Sequence, residues 1–330
     1  MILSKTPLRI SFFSGGSDMP SFFERERGAA LSVTIDKYIY VMLHKTPHLG
    51  IKIMYDTIEE FPDLETMQHA ITRESLKHFD VVKEVTIASI ADILAKGSGL
   101  GSSSAFTVGL INVLANQDKH GSNYTREYLA QTAYNIERDM CGYPVGKQDQ
   151  YAAAYGGMNL FEFHKDNTVE IRPTTYNRNL WSDLEDCLLL VYSGRGRNAN
   201  SILQKQSAAM NDSVKFDLVR RSRDKAFVAA RYLKENKLDD FGALLHDAWL
   251  DKKAVESSIT NEYFDDVYAR AMEAGSLGGK LLGAGGGGFF IFYVNKDKRE
   301  NVIKTITDGT SCKIYDFKFT EWGSRVTSHC

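Results

Sequence analysis

Apolar and polar positions divide the chain into two stretches of different character. In the first, the apolar runs are short and rich in β-branched and aromatic residues, as strands require. Residues 8–13 read as a strand, set off by Pro7 and stopped by Gly15 and Gly16. Residues 30–44 read as one or two more. Residues 63–79 are polar with spaced apolar positions, which predicts a helix, and 85–89 predict a short strand. Residues 102–116 are apolar nearly all round, the pattern of a buried helix. A further helix is predicted over 125–140, capped by Thr125 and stopped by Gly142. Residues 158–163 and 168–172 form a predicted hairpin.

The pattern then changes. Residues 187–193 (CLLLVYS) read as a strand buried on both faces, and a helical region follows over 200–274. A glycine-rich stretch, the strand 289–294, a helix near 298–307 and a last strand near 313–319 complete the chain. The expectation is an α+β protein of two domains, 1–184 and 185–330.

Composition narrows the function classes. The formal net charge of the 330 residues is -2, and the 40 basic and 42 acidic residues are mixed along the chain. A nucleic-acid partner is therefore not expected, for want of a basic stripe. No apolar run reaches the ~18 residues of a membrane span, and Lys5 and Arg9 interrupt the N-terminal apolar stretch, so neither a membrane partner nor a signal peptide is expected. The four cysteines are scattered, without a CxxC pair, and Pro47 separates His44 from His48. Neither a disulfide framework nor a zinc site is indicated, and a reduced, cytoplasmic protein is expected.

The candidate chemistry lies in glycine clusters. Half of the 26 glycines fall in three places: Gly15 and Gly16; Gly97, Gly99 and Gly101; and eight positions from Gly275 to Gly288. The central segment, Lys96-Gly97-Ser98-Gly99-Leu100-Gly101-Ser102-Ser103-Ser104-Ala105, runs into the predicted buried helix. A helix start offers free N–H groups and partial positive charge, and glycines let a loop wrap closely, so the segment fits a phosphate cradle. Local physics leaves a plain turn with a helix cap equally open. No lysine follows the glycines as a Walker A loop requires, and Ser102 stands where a Rossmann loop has its third glycine. The last cluster opens directly into an apolar strand, which a flexible linker seldom does.

Together, Gly99-Leu100-Gly101-Ser102-Ser103-Ser104-Ala105 and the late Gly283–Phe289 run, in this order and spacing, resemble the GHMP small-molecule kinases. The resemblance covers essentially the whole chain. One departure is that Ala95 and Lys96 stand where the family often carries prolines. The resemblance implies an N-terminal domain like ribosomal protein S5 domain 2, a ferredoxin-like C-terminal domain, and a cleft between them for ATP and substrate. By the same resemblance, residues 96–104 bind the nucleotide. Glu137 and Asp149 are twelve positions apart, as in the galactokinase form, which implies Mg²⁺ on Glu137 and Ser103, with Ser102 in reserve, and Asp149 as catalytic base. Arg9 matches the basic residue of the family's first motif. A permanent cation there favours a carboxylate's charged form or a more acidic acceptor hydroxyl.

The first cluster, Gly15-Gly16-Ser17-Asp18, resembles the heptose 7-phosphate kinase and bacterial fucokinase-like branches of the family. There Asp18 stands for the sugar-binding carboxylate. The implied reaction is transfer of the ATP γ-phosphate to the anomeric O1 of a heptose 7-phosphate, with a free sugar such as fucose or galactose as the alternative. A non-catalytic sugar and nucleotide sensor on the same fold is a reading from another class. For the substrate's own phosphate, Arg195 and Arg197 form a candidate fork, with Lys280 and Lys147 as further candidates. The expected partners are ATP and a small sugar phosphate, and the chain is read as a monomer or homodimer.

Overall fold

The computed structural model describes residues 1–46, 50–93, 97–117, 124–174, 177–196 and 199–328. The predicted first strand is longer at its start, β1 (Ile2–Phe13), and a one-turn helix α1 (Pro20–Phe23) follows the first glycine pair. Residues 30–44 form one long strand, β2 (Gly28–Lys45), whose buried positions alternate from Ile39 to Leu43 as a half-covered strand requires. Then come β3 (Ile51–Met54), β4 (Ile58–Phe61), α2 (Ala70–His78), β5 (Val85–Ala91) and α3 (Ser102–Ala115). The helix predicted from 63 begins at Ala70, because Asp63 is held in a turn by the Thr66 N–H.

After α3 come α4 (Arg126–Asn135), α5 (Gln148–Tyr155), β6 (Met158–Phe163), β7 (Val169–Pro173), α6 (Arg178–Cys187) and β8 (Leu188–Tyr192). Thr125 caps α4 as expected, accepting the Tyr128 N–H. The predicted hairpin is the β6–β7 pair. The long helical region resolves into α7 (Ala199–Ala209), α8 (Ser213–Lys234), α9 (Leu238–Val255) and α10 (Glu262–Glu273). The chain closes with β9 (Ser276–Leu281), β10 (Phe289–Val294), α11 (Arg299–Thr307), β11 (Lys313–Tyr315) and β12 (Arg325–Ser328).

Two sheets organise these elements. Among the described residues, the larger has eight strands, with the path β12-β1-β2-β5-β3-β4 and β6–β7 joined to β2. The smaller runs β11-β8-β10-β9 and is antiparallel throughout. The C-terminal strand β12 pairs with β1, so the end of the chain returns to the first sheet. Helix α3 lies against β1 and β2 and buries Val108, Leu110, Ile111, Val113 and Leu114. At about 1.5–3 kcal/mol per buried aliphatic side chain, this face anchors the helix and fixes where its first turn points.

The third glycine cluster is not all loop. Its first part is β9, with Lys280 opposite Ile291 of β10. Glycine is needed there for close approach. A methyl group on Gly278 would strike the backbone of α9, and one on Gly279 the Phe292 ring.

Candidate active site

One cavity of about 510 Å³ opens between the two sheets. Its walls come from the end of β1, the start of α2, the loop before α3, the turn after α4 that carries Glu137, the start of α5, and α7 and α9 of the second half. All three glycine clusters reach it: Gly15 and Gly16, then Gly97, Gly99 and Gly101, then Gly283.

The loop before α3 is built by contact between two of those clusters. The Phe289 N–H donates to the Ser98 carbonyl at 3.0 Å, and a side chain on Gly288 would collide with the same backbone. Gly99 has φ +78°, and a Cβ there would stand 2.5 Å from the Leu282 carbonyl oxygen. No L-residue with a side chain fits this position without strain. Ser102, Ser103 and Ser104 form the first turn of α3, and all three border the cavity. Their N–H groups belong to the set that a helix leaves without internal partners.

Arg9 joins this loop to the acid residue of α5. Its Nε donates to Asp149 Oδ1 at 2.8 Å and its Nη2 to Asp149 Oδ2 at 2.7 Å, a two-pronged pair. Nη1 donates to the Gly99 carbonyl at 2.7 Å. The arginine side chain is 5% exposed and that of Asp149 30%, so the carboxylate faces the cavity while the cation is shielded behind it. Asp149 also sits in the first turn of α5, where the helix dipole favours negative charge.

Glu137 occupies a different kind of position. The last residues of the predicted helix, Ile136–Met140, wind as a π-helix, with Cys141 N–H bonded to the Ile136 carbonyl. Such a turn inserts a residue and re-aims side chains. Glu137 Oε2 accepts from the Ser104 hydroxyl (3.1 Å) and Gln150 Nε2 (3.3 Å), while Oε1 is buried and has no hydrogen-bond partner among the described residues. Burial pushes its pKa up to about 7, opposed by hydroxyl hydrogen bonds and assisted by the charge of Asp149. The hydroxyl that meets Glu137 belongs to Ser104, and Ser103 is exposed at the cavity.

Asp18 stands opposite. Its Oδ1 accepts the Gly16 N–H at 3.0 Å and its Oδ2 the Gln148 N–H at 3.2 Å. The carboxylate thus ties the Gly15–Gly16 loop to the start of α5. Burial, then the charge of Asp149, raise its pKa to about 6, against the backbone hydrogen bonds that lower it.

Other expected residues are placed elsewhere. Ser17 does not face the cavity. Its hydroxyl donates to the Ala29 carbonyl at 2.8 Å and pairs with Ser14, which fastens the loop to β2. Leu100 is core, and its backbone shapes the loop, the carbonyl accepting the Arg9 N–H at 3.0 Å and the N–H donating to Ser98 Oγ at 3.2 Å. Arg195 is exposed, with its guanidinium 3.7 Å from the centre of the Tyr263 ring, outside the cavity wall. Lys147, the residue just before α5, is buried and donates to the Asn167 carbonyl at 2.5 Å. Lys280 borders a small annex of the cavity rather than its main wall. Lys96 and Arg197 lie outside the described residues.

Sequence reasoning missed Gln148 and Gln150, which flank Asp149 and hold Asp18 and Glu137. The Gln-Asp-Gln run was their one signal. It also missed Lys252, which donates to the Leu281 and Gly283 carbonyls at 3.0 and 2.6 Å and borders the cavity. Nothing distinguished that lysine from its neighbour Lys253.

The geometry can now be set beside known proteins. The GHMP kinases N terminal domain matches residues 65–157, and the GHMP kinases C terminal domain matches residues 229–309. This chain belongs to the GHMP kinases. It is accordingly a phosphotransferase with an alcohol acceptor, on the two-domain fold of mixed helix and sheet that the motifs implied. It is 29% identical to the D-glycero-alpha-D-manno-heptose 7-phosphate kinase of Campylobacter jejuni over 98% of this chain and 97% of that one. It is 24% identical to the bifunctional fucokinase/GDP-fucose pyrophosphorylase of Arabidopsis thaliana, over 96% of this chain and 32% of that one. A solved D-glycero-D-manno-heptose 1-phosphate kinase from Bacteroides thetaiotaomicron superposes over 100% of both chains, with a TM-score of 0.81 at 24% identity. No described helix is long and apolar enough to cross a membrane.

Proposed function

We propose that this protein is an ATP-dependent sugar-phosphate kinase that phosphorylates the anomeric O1 of a heptose 7-phosphate, giving the 1,7-bisphosphate. The observation that carries this reading is the Arg9–Asp149 pair, fixed between the loop before α3 and the Asp18 loop. A carboxylate held beside the loop before α3 and lining the cavity supports Asp149 as the group that meets the acceptor hydroxyl. The near full-length likeness to a heptose 7-phosphate kinase supports the choice of acceptor.

The chemistry follows from the placement. The N–H groups at the start of α3 and the Gly97–Gly101 backbone receive the nucleotide phosphates. Asp149 accepts the proton of the acceptor hydroxyl as its oxygen bonds to the γ-phosphorus. The bond from that phosphorus to the β,γ-bridging oxygen breaks, and ADP leaves. Arg9 orients the carboxylate through two bonds, so that little is reorganised during transfer. Asp18, fastened by the Gly16 and Gln148 N–H groups, presents its remaining lone pairs to the sugar hydroxyls.

The residues fit Mg²⁺. Buried Glu137 Oε1 lacks a partner, hard oxygen donors from Ser103 and Ser104 stand nearby, and no described cluster of three acidic, histidine or cysteine side chains competes. One carboxylate, a hydroxyl and substrate phosphates are the usual way this ion is held. When bound, it neutralises charge developing on the phosphates.

The test is an ADP-release assay over heptose 7-phosphate, the unphosphorylated heptose, fucose and galactose, with the phosphorylated position read by ³¹P NMR. The expected result is turnover with heptose 7-phosphate and a new signal on O1. Turnover restricted to free sugars would transfer the assignment to the fucokinase-like reading.

A further inference from the structure

At the acceptor end the cleft has an annex, walled by Gly15, Gly16 and Met19 on one side and by Gln206, Lys252 and Lys280 on the other. Lys280 reaches across from β9 in the second sheet and is 3% exposed. Its ammonium donates to the Phe12 carbonyl at 2.9 Å, at the end of β1 just ahead of the Gly15–Gly16 loop. Among the described residues, no carboxylate pairs with it. The charged group that acts on it is Arg9, of like sign. Burial, and then Arg9, push its pKa down to about 7.

A buried ammonium without a counter-charge costs several kcal/mol. Replacing it by an apolar residue would be favourable for folding alone, so its presence calls for an arriving anion. Lys252 adds a second ammonium to the same wall, and among the described residues no Asp or Glu lines the annex. The annex itself holds about 20 Å³, room for roughly one water. The side chains of Met19 and Met210 form part of its wall, and unbranched thioethers change rotamer readily to admit a larger group.

We propose that Lys280, with Lys252 beside it, forms a phosphate-binding subsite that takes the phosphate already carried by a sugar-phosphate acceptor. The subsite rests on the sugar-phosphate reading and deepens it. It gives that phosphate a place inside the cleft, where Arg195 does not stand. The γ-phosphate of the nucleotide has the same chemistry, and the experiment separates the two sources.

The experiment measures kcat/KM of wild type, Lys280→Met, Lys280→Gln and Lys280→Arg with heptose 7-phosphate and with unphosphorylated heptose, together with KM for ATP and the melting temperature. Loss of a charge-assisted contact predicts a fall of about 10- to 100-fold in Lys280→Met and Lys280→Gln on the phosphorylated acceptor. On the unphosphorylated sugar the change should be under about threefold, KM for ATP should hold, and Lys280→Arg should retain more activity than either. Both uncharged variants should melt no lower than wild type. Equal losses on the two acceptors, or a lower melting temperature, would reduce Lys280 to a structural tie. A raised KM for ATP alone would assign it to the γ-phosphate. A wild type that prefers the phosphorylated acceptor, with that preference kept in the variants, would overturn the subsite and leave the sugar-phosphate reading standing. A wild type without that preference would overturn both.

Discussion

Arg9 grips Asp149 through two hydrogen bonds of 2.8 and 2.7 Å and turns its third nitrogen to the Gly99 carbonyl at 2.7 Å. One side chain thereby sets the distance between the loop proposed to receive the nucleotide and the carboxylate proposed to receive the proton. Lysine, a single flexible point charge, cannot make all three bonds. Arg9→Lys should therefore lower kcat on the order of 100-fold, and Arg9→Ala at least as much, with KM for ATP changed far less. Steady-state kinetics in both substrates checks this, and near wild-type kcat in Arg9→Lys would remove the two-pronged geometry from the account.

Glu137 Oε1 is a buried carboxylate oxygen with no hydrogen-bond partner among the described residues. Glu137→Gln keeps the shape and the Ser104 contact but removes the charge. The Mg²⁺ concentration for half-maximal activity should rise by about tenfold or more, since a carboxylate outweighs an amide for a hard divalent cation. A magnesium titration of activity reads this directly, and an unchanged titration curve would exclude Glu137 as a ligand.

Gly99 is constrained twice, by a φ of +78° and by the Leu282 carbonyl oxygen 2.5 Å from where a Cβ would stand. Gly99→Ala should destabilise the protein by about 1–3 kcal/mol through backbone strain. It should also raise KM for ATP several-fold, because the contact with Leu282 shapes the loop. Gly15→Ala, where a Cβ would meet nothing within 4 Å, is the control and should alter stability little. Thermal melts and ATP titrations of the two variants decide between them.

Lys280 also ties stability to pH. Its folded-state pKa of about 7 lies below the ordinary 10.5. In that window the unfolded chain binds the extra proton, so folding gains as pH rises through 7 towards 10.5 and loses as pH falls. Lys280→Met abolishes this dependence. The variant should melt several degrees above wild type at pH 6, and the gap should close by about pH 10. A gap that is constant with pH would mean that the ammonium is not the source.

Much of the site was legible because its parts are contiguous. Glycines followed by serines and an apolar run specify a loop entering a buried helix, and the structure has α3 starting at Ser102. Glu137 and Asp149 were visible on either side of a turn. Which serine meets Glu137 was not legible, since each residue along a helix turns the side chain by about 100° and the start of α3 is fixed only by its packing. Ser104 takes that contact. Ser17 was misplaced for a similar reason. In a tight loop, a residue's neighbours do not tell whether its hydroxyl points to ligand or to backbone, and here Ala29 captures it.

Long-range relations were hidden throughout. Residues 276–281 read as a glycine-rich stretch without a strand signal, because what requires the glycines, α9 against Gly278 and Phe292 against Gly279, lies elsewhere in sequence. The return of β12 to β1 leaves no local trace. The spacing of Arg195 and Arg197 suggested an anion fork, yet Arg195 stacks on Tyr263, a ring brought to it by the fold of α10. The annex cation that stands in the cleft, Lys280, was legible only as one candidate among several.

The central claim is that Asp149 accepts the acceptor's proton during phosphoryl transfer, and Asp149→Asn tests it most directly. The amide keeps the size of the carboxylate but cannot take the proton. Measured by ADP release and by ATP binding on the same preparation, turnover should fall by about 1,000-fold or more, while the Kd for ATP stays within about threefold. Full turnover in Asp149→Asn would contradict the account.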